Sequence, residues 1–279
     1  MQLETFSTPA AFLAAAEPCL LEAEVENNLI LGIARGLLTA PATGRDPIPY
    51  FALVRGPDIQ VCAFSTLPDK VGITRCTNPE ALTLLARDVL TVRPQVRNVL
   101  GPEPTIGRFV ATMAPLRGAR VVRRMAQHIH QLRKVEPLAR VPRGRFRAAE
   151  AADVELIAVW IGEFMTELAD PQGEPHELAT SRVAARQLCL WEDGEPVSMA
   201  GWTGRTDRGV RIGFVYTPPR FRGRGYASAC VAALSHDLLA SGLQYCCLYT
   251  DLANPTSNRI YARIGYRPVC DAAMYTLAV

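Results

Sequence analysis

The chain holds eight cysteines, yet no two of them stand in Cys-x-x-Cys spacing, so the pattern of a zinc knuckle is missing. Cys19, Cys62, Cys76, Cys189, Cys230, Cys246, Cys247 and Cys270 lie mostly in apolar or strand-like settings, where a free thiol acts as a small hydrophobe. That usage suits a reducing cytoplasm, and no metal is expected. Long hydrophobic runs are missing too. The apolar stretch from Ala10 to Leu21 is short and is interrupted by Glu17 and Pro18, so no membrane span is read there. The opening Met1-Gln2-Leu3-Glu4-Thr5 lacks the basic start of a signal peptide. Charge of one sign is scarce: 30 Lys and Arg against 27 Asp and Glu leave a net +3, too little to imply nucleic acid. A cytoplasmic protein with neither membrane nor nucleic-acid partners is therefore expected. What is present is a hydrophobic content of 49% over 279 residues, enough for a real core and comfortable for two domains.

Two nucleotide-loop patterns are absent as well. No pair of glycines with four residues between them leads into Lys-Ser or Lys-Thr, which excludes a Walker loop. Nor does Gly223-x-Gly225 have the third glycine, or the place after a first strand, of a dinucleotide fingerprint. What the chain has instead is Arg220-Phe221-Arg222-Gly223-Arg224-Gly225-Tyr226-Ala227. Before it, Val210, Ile212, Phe214 and Tyr216 alternate as a strand requires. After it, Ala227, Cys230, Val231, Leu234 and Leu238 fall on one face of a helix. A glycine-rich turn thus feeds a helix N-terminus, whose free N–H groups and macrodipole receive phosphate. Gly223 and Gly225 let the backbone approach the anion, and the three arginines add charge. The bland reading is an arginine-rich turn capping an ordinary helix.

A second pattern follows. Gly242 closes that helix, and Tyr245 to Thr250 reads as a short apolar strand. Asn254 then suits an N-cap, Pro255 the first helical position, and Gly265 the helix end. Asn254, Asn258 and Tyr261 fall on one face of this helix. Arg-x-x-Gly-x-Gly after a strand, followed by Asn…Tyr…Gly-Tyr, resembles the two signatures of the GNAT superfamily of N-acetyltransferases. The resemblance is specific from about 187 to 268 and generic before that.

The chain divides near residue 140. Between Arg117 and Arg147 lie nine arginines and one lysine, interrupted only by Glu136. The apolar Val121, Val122, Met125, Ile129, Leu132 and Val135 favour a strand and linker over a disordered nucleic-acid arm. Beyond it, a strand at 145–148, a helix at 153–168, and a hairpin of 184–190 with 196–203 around Asp193-Gly194 precede the strand that enters the loop. The first half repeats a similar order. It offers helices at 9–24 and 27–38, a hairpin of 50–54 with 59–64, a strand at 71–76 and a helix at 79–92. A strand near Val99, a helix at 105–114 and a strand from Val121 complete it. Its third strand ends in Arg75-Cys76-Thr77-Asn78-Pro79-Glu80, with no glycine pair. The resemblance therefore implies two α/β domains in tandem, each with a mixed, mostly antiparallel central sheet flanked by helices. A degenerate GNAT-like domain is expected over 1–136, a linker over 137–142 and a catalytic domain over 143–279.

It also implies chemistry. Acetyl-CoA would be the co-substrate, its pantetheine beside the backbone of Val215 and Thr217. Its pyrophosphate would lie on Arg220, Arg222, Gly223, Arg224, Gly225, Tyr226 and Ala227, with Asn254 and Asn258 nearby. Tyr261 matches the tyrosine that protonates the leaving thiolate, as acetyl passes directly to a primary amine of a small molecule or peptide. A monomer or homodimer is expected. The general base stays open. A lysine-type amine near pKa 10.4 needs about 4.6 kcal/mol to be neutral at pH 7, and an α-amino group near 8 only about 1.4 kcal/mol. Glu163, Glu167 and Asp251 are candidates, although Glu163 and Glu167 read first as a solvated helix face and His236 as surface. The alternative function is a non-catalytic acyl-CoA-binding sensor, which would not require the phenol.

Overall fold

The computed structural model describes residues 1–39, 48–168 and 173–279, and its order of elements runs twice over. The first series is β1 (Gln2–Phe6), α1 (Pro9–Glu22), α2 (Asn28–Thr39), β2 (Tyr50–Arg55), β3 (Ile59–Leu67), β4 (Lys70–Ile73), α3 (Pro79–Val92), β5 (Asn98–Pro102), α4 (Thr105–Arg117) and β6 (Arg120–Leu132). The second is β7 (Arg145–Ala148), α5 (Val154–Leu168), α6 (Pro175–Ala184), β8 (Leu188–Asp193), β9 (Glu195–Thr203), β10 (Gly209–Tyr216), α7 (Tyr226–Ala240), β11 (Tyr245–Asp251), α8 (Pro255–Ile264) and β12 (Arg267–Ala278). Both read β-α-α-β-β-β-α-β-α-β. The basic stretch after Arg117 is strand β6 followed by a connection, as its apolar content requires.

By packing, the chain forms two compact units: one of residues 1–130, 249–258 and 268–279, the other of 131–248 and 259–267. In the first, the strands lie in the order β1-β2-β3-β4-β5-β12, antiparallel except for the β4–β5 pair. Alternation sets two faces. Ala52, Val54, Val61 and Ala63 bury against α3 and α4, while Phe51, Leu53, Cys62 and Phe64 bury against α1 and α2. Strand β12, expected to complete the second repeat, joins this unit. It pairs with β5 from Ala272↔Pro102 to Thr276↔Asn98, which sets Ala273 and Leu277 in the first core. The packing follows this long-range ladder, not the order of the two series in sequence.

In the second unit the order is β11-β10-β9-β8-β7, again antiparallel except for β10–β11. One face carries α7 over Val210, Ile212 and Leu248, the other α5 and α6 over Leu190, Met199 and Phe214. The β8–β9 hairpin turns at Asp193-Gly194, with Gly194 at φ +76° as that dipeptide favours. Its first strand starts at Leu188 rather than Ala184, because α6 runs from Pro175 to Ala184 and ends before Arg186, at φ +55°. Among the described residues no helix is long and apolar enough to cross a membrane.

Candidate active site

Strand β10 is where the second unit departs from a regular sheet. It pairs in parallel with β11 only from Gly209↔Tyr245 to Arg211↔Cys247. Against β9 its register shifts between Gly213↔Gly201 and Tyr216↔Met199, three steps on one strand against two on the other. This is a β-bulge, and Phe214 sits in it at φ +52°. The extra residue swaps faces. Val210 and Ile212 point to the α7 core, but Phe214 and Tyr216 point to the α5–α6 core, so the four do not share one face as their alternation suggests. Val215 lies inside the bulge, half-buried toward α7. A strand that leaves its parallel neighbour and bulges away from the antiparallel one presents backbone groups to a ligand.

The loop comes next. A short 3₁₀ turn, Pro219–Phe221, is anchored by buried Phe221. Gly223 at φ +77° and Gly225 at φ +87° then carry the chain into α7. Gly225 is the N-cap, with no side-chain cap and no acidic residue in the first turn. The first turn of α7 therefore offers N–H groups that lack intrahelical acceptors, in an exposed loop with no Cβ at either glycine. The residues fit a pyrophosphate.

The three arginines divide. Arg222 pairs with Glu167 on α5, donates from Nε to the Thr217 carbonyl at 2.8 Å, and stands over the Tyr216 ring at 5.6 Å. Arg220 lies over Phe221 and 3.3 Å from Glu195, both ends exposed. Arg224 is exposed beside Tyr226, whose phenol donates to Asp193 at 2.7 Å. Tyr226 packs its ring in the core and leaves only backbone for a ligand, while Ala227 is half-buried. Thr217 Oγ1 shares a 2.8 Å hydrogen bond with Ser198.

Tyr261 lies on α8 against the α7 core, edge-on to Tyr266 at 5.8 Å. Burial raises its phenol to about 12, so it stays protonated at any ordinary pH. On the same helix, Asn254 Oδ1 accepts from Ser257 N–H at 3.1 Å, the N-cap that the sequence calls for. Asn258 donates to the Asp251 carbonyl at 3.1 Å and keeps a buried Oδ1 without a partner. Of the base candidates, Glu163 and Glu167 are not merely solvated. Burial first, then a hydrogen bond to Glu163, raises the Tyr216 phenol to about 12, and Glu167 holds Arg222. Asp251 Oδ1 accepts from Ala253 N–H at 2.8 Å, and His236 is exposed beside Asp237.

The corresponding elements of the first unit differ in chemistry. Helix α3 also follows a strand paired in parallel, but Asn78 Oδ1 accepts from Glu80 and Ala81 N–H at 3.0 and 3.4 Å. Pro79 removes another donor and Glu80 adds a negative charge. Arg75 is tied to Glu26 at 2.7 Å. Counting from the helix start, Ala111 on α4 stands where Tyr261 stands on α8.

This doubled architecture, with a bulged strand, a glycine loop and an uncapped helix in one copy, is the GNAT fold. Residues 188–275 match the family of FR47-like proteins. Among solved structures, the chain is similar to an acetyltransferase of the GNAT family from Colwellia psychrerythraea, at 12% identity and TM-score 0.60 over 100% of both chains. It is similar to a GCN5-related N-acetyltransferase from Sphaerobacter thermophilus, at 16% identity and TM-score 0.64 over 99% of this chain and 95% of that one. A tandem GNAT protein from the clavulanic acid biosynthesis pathway aligns at 13% identity and TM-score 0.59, over 99% and 98%. No curated protein matches the chain in sequence.

Proposed function

We propose that the chain is an acetyl-CoA-dependent N-acetyltransferase that acetylates a primary amine of a small molecule or peptide by direct transfer. In this reading 143–279 is the catalytic repeat and 1–136 a degenerate one, joined by 137–142. The observation that carries it is the contrast between two helix ends, Gly225 open and Asn78 closed, with Tyr261 only on the open side. Gly223, Gly225 and the first N–H groups of α7 would hold the pyrophosphate. Arg220 and Arg224 would screen its charge, since Arg222 is committed to Glu167. The backbone at Val215 and Thr217 would line the pantetheine, and the bulge at Phe214 keeps Val215 out of the regular ladder.

Bound acetyl-CoA supplies the acetyl thioester and its thiol leaving group. Tyr261 holds a proton on its phenol oxygen. With that phenol near 12 and an ordinary thiol near 8.5, losing the proton outright is uphill by on the order of 5 kcal/mol. Its part is therefore a hydrogen bond that strengthens as charge develops on sulfur, the kind of differential binding that raises turnover. Glu163, on the α5–α6 side and coupled to Tyr216, is the carboxylate best placed to relay the amine's proton. Thiol release with acetyl-CoA and a panel of amines, with the acetylated product identified by mass, tests the reading. A chain that binds CoA but releases no thiol with any amine is a sensor.

A further inference from the structure

Arg211 stands at the fork where β10 leaves β11, and it is the last residue of β10 in the parallel ladder. Because Val210 and Ile212 face α7, Arg211 faces the other side of the sheet, where Phe214 and Tyr216 meet α5 and α6. From α6, Arg182 reaches to the same place and lays its guanidinium 4.4 Å from the centre of the Phe214 ring. Arg182 Nη1 donates to Gln187 Oε1 at 3.3 Å, and Arg211 Nη2 donates to Thr203 Oγ1 at 2.9 Å. Among the described residues, these uncharged oxygens are their only side-chain acceptors. Arg182 Nε and Arg211 Nη1 are buried with no partner at all.

Two other half-buried arginines, Arg147 and Arg35, are neutralised. Arg147 meets Asp153 at 2.7 Å and also holds Glu192, and Arg35 meets Glu17 at 2.7 Å. Arg182 has instead Arg211 as its charged neighbour, of the same sign; burial first, and then that neighbour, lower it to about 10. Two adjacent cations with orphan donors destabilise a fold unless something completes them. Packing on Phe214 accounts for Arg182 but gives no reason for Arg211 beside it.

We propose that Arg182 and Arg211 form a carboxylate-binding corner of the acceptor site, so that the amine acetylated by this protein also carries a carboxylate. The inference rests on the acetyltransferase reading for the word acceptor, and on the arginine geometry for the rest. The unpartnered Arg182 Nε and Arg211 Nη1 offer N–H donors to the oxygens of a carboxylate, the planar group that arginine forks recognise best. The corner lies on the face opposite α7, so an acceptor held there reaches the bulge from the side away from the pyrophosphate loop.

The test needs no turnover. Full-length protein saturated with CoA is titrated calorimetrically with N-acetyl amino acids and with their N-acetyl amides as matched pairs. The best acid should bind at least ~10-fold tighter than its amide, a difference of about 1.4 kcal/mol. Arg211→Met and Arg182→Met should erase the difference, and Arg211→Lys should keep only part of it, since the charge remains without the fork. Should Arg182→Met fail to fold, the wild-type contrast and Arg211→Lys decide. Acids that bind no better than amides across the panel, or a preference that survives in Arg211→Met, overturn the proposal. Thiol release measured on the corresponding free amines separates the two readings. Selective acid binding without any transfer would sink the transferase reading and leave the corner standing.

Discussion

Asn78 and Gly225 hold equivalent places in the two series of elements, each the N-cap of the helix that follows a parallel-paired strand, and they leave those helix N-termini in opposite states. Asn78 fills the donors of α3 with its own side-chain oxygen, whereas Gly225, in the left-handed region, leaves those of α7 open. One architecture thus carries one open helix N-terminus and one sealed copy of it.

Replacing Gly225 by valine should abolish CoA binding, with a loss of at least ~100-fold in affinity. A branched residue at φ +87° is strained by on the order of 1–3 kcal/mol and sets a Cβ where phosphate should lie. Calorimetry checks it, with thermal unfolding to show that α7 still folds.

Asn78→Ala should do the reverse. Losing the cap should cost about 0.5–2 kcal/mol of stability, visible in denaturant unfolding, with CoA affinity unchanged. A shift in CoA affinity would mean that the first repeat also takes part in binding.

Tyr261→Phe should lower kcat by ~10²–10³-fold and leave CoA affinity within about twofold. The ring packs against Tyr266 and the core, and phenylalanine keeps that contact. A loss confined to affinity would make the tyrosine a structural residue.

The pH profile should rise through the pKa of the acceptor amine and show no alkaline fall before about pH 10. Burial places the phenols of Tyr261 and Tyr216 near 12, against about 10 in an unfolded chain. Between these values the folded state holds protons that the unfolded state has released, so stability falls as pH rises from about 10 to 12 and is fully present below 10. Unfolding measured across that window, in parallel with phenolate absorbance, checks the sign. An alkaline fall in rate near pH 8 would point to another group.

Legibility in the sequence followed the range of the physics. Gly223 and Gly225 were readable because a positive φ asks for glycine locally, and α8 because Asn254, Pro255 and Gly265 mark its two ends. The bulge at Phe214 was not, since Val210 to Tyr216 alternate without a break and the slip exists only relative to β9. Arg222 looked like charge for the phosphate, and only the fold brings Glu167 to it. Arg182 and Arg211 carry no local signal, because only the fold, through α6, sets one over Phe214 beside the other. The pairing of β12 with β5 spans most of the chain and leaves no local signal.

The most direct test follows an isotope-labelled acetyl group from acetyl-CoA into a mixture of amines, with wild-type protein and Tyr261→Phe side by side. The account expects label on an amine nitrogen in step with free CoA thiol, and a rate at least ~10²-fold lower in the variant. Label that stays on CoA, or reaches an amine equally fast with Tyr261→Phe, would contradict it.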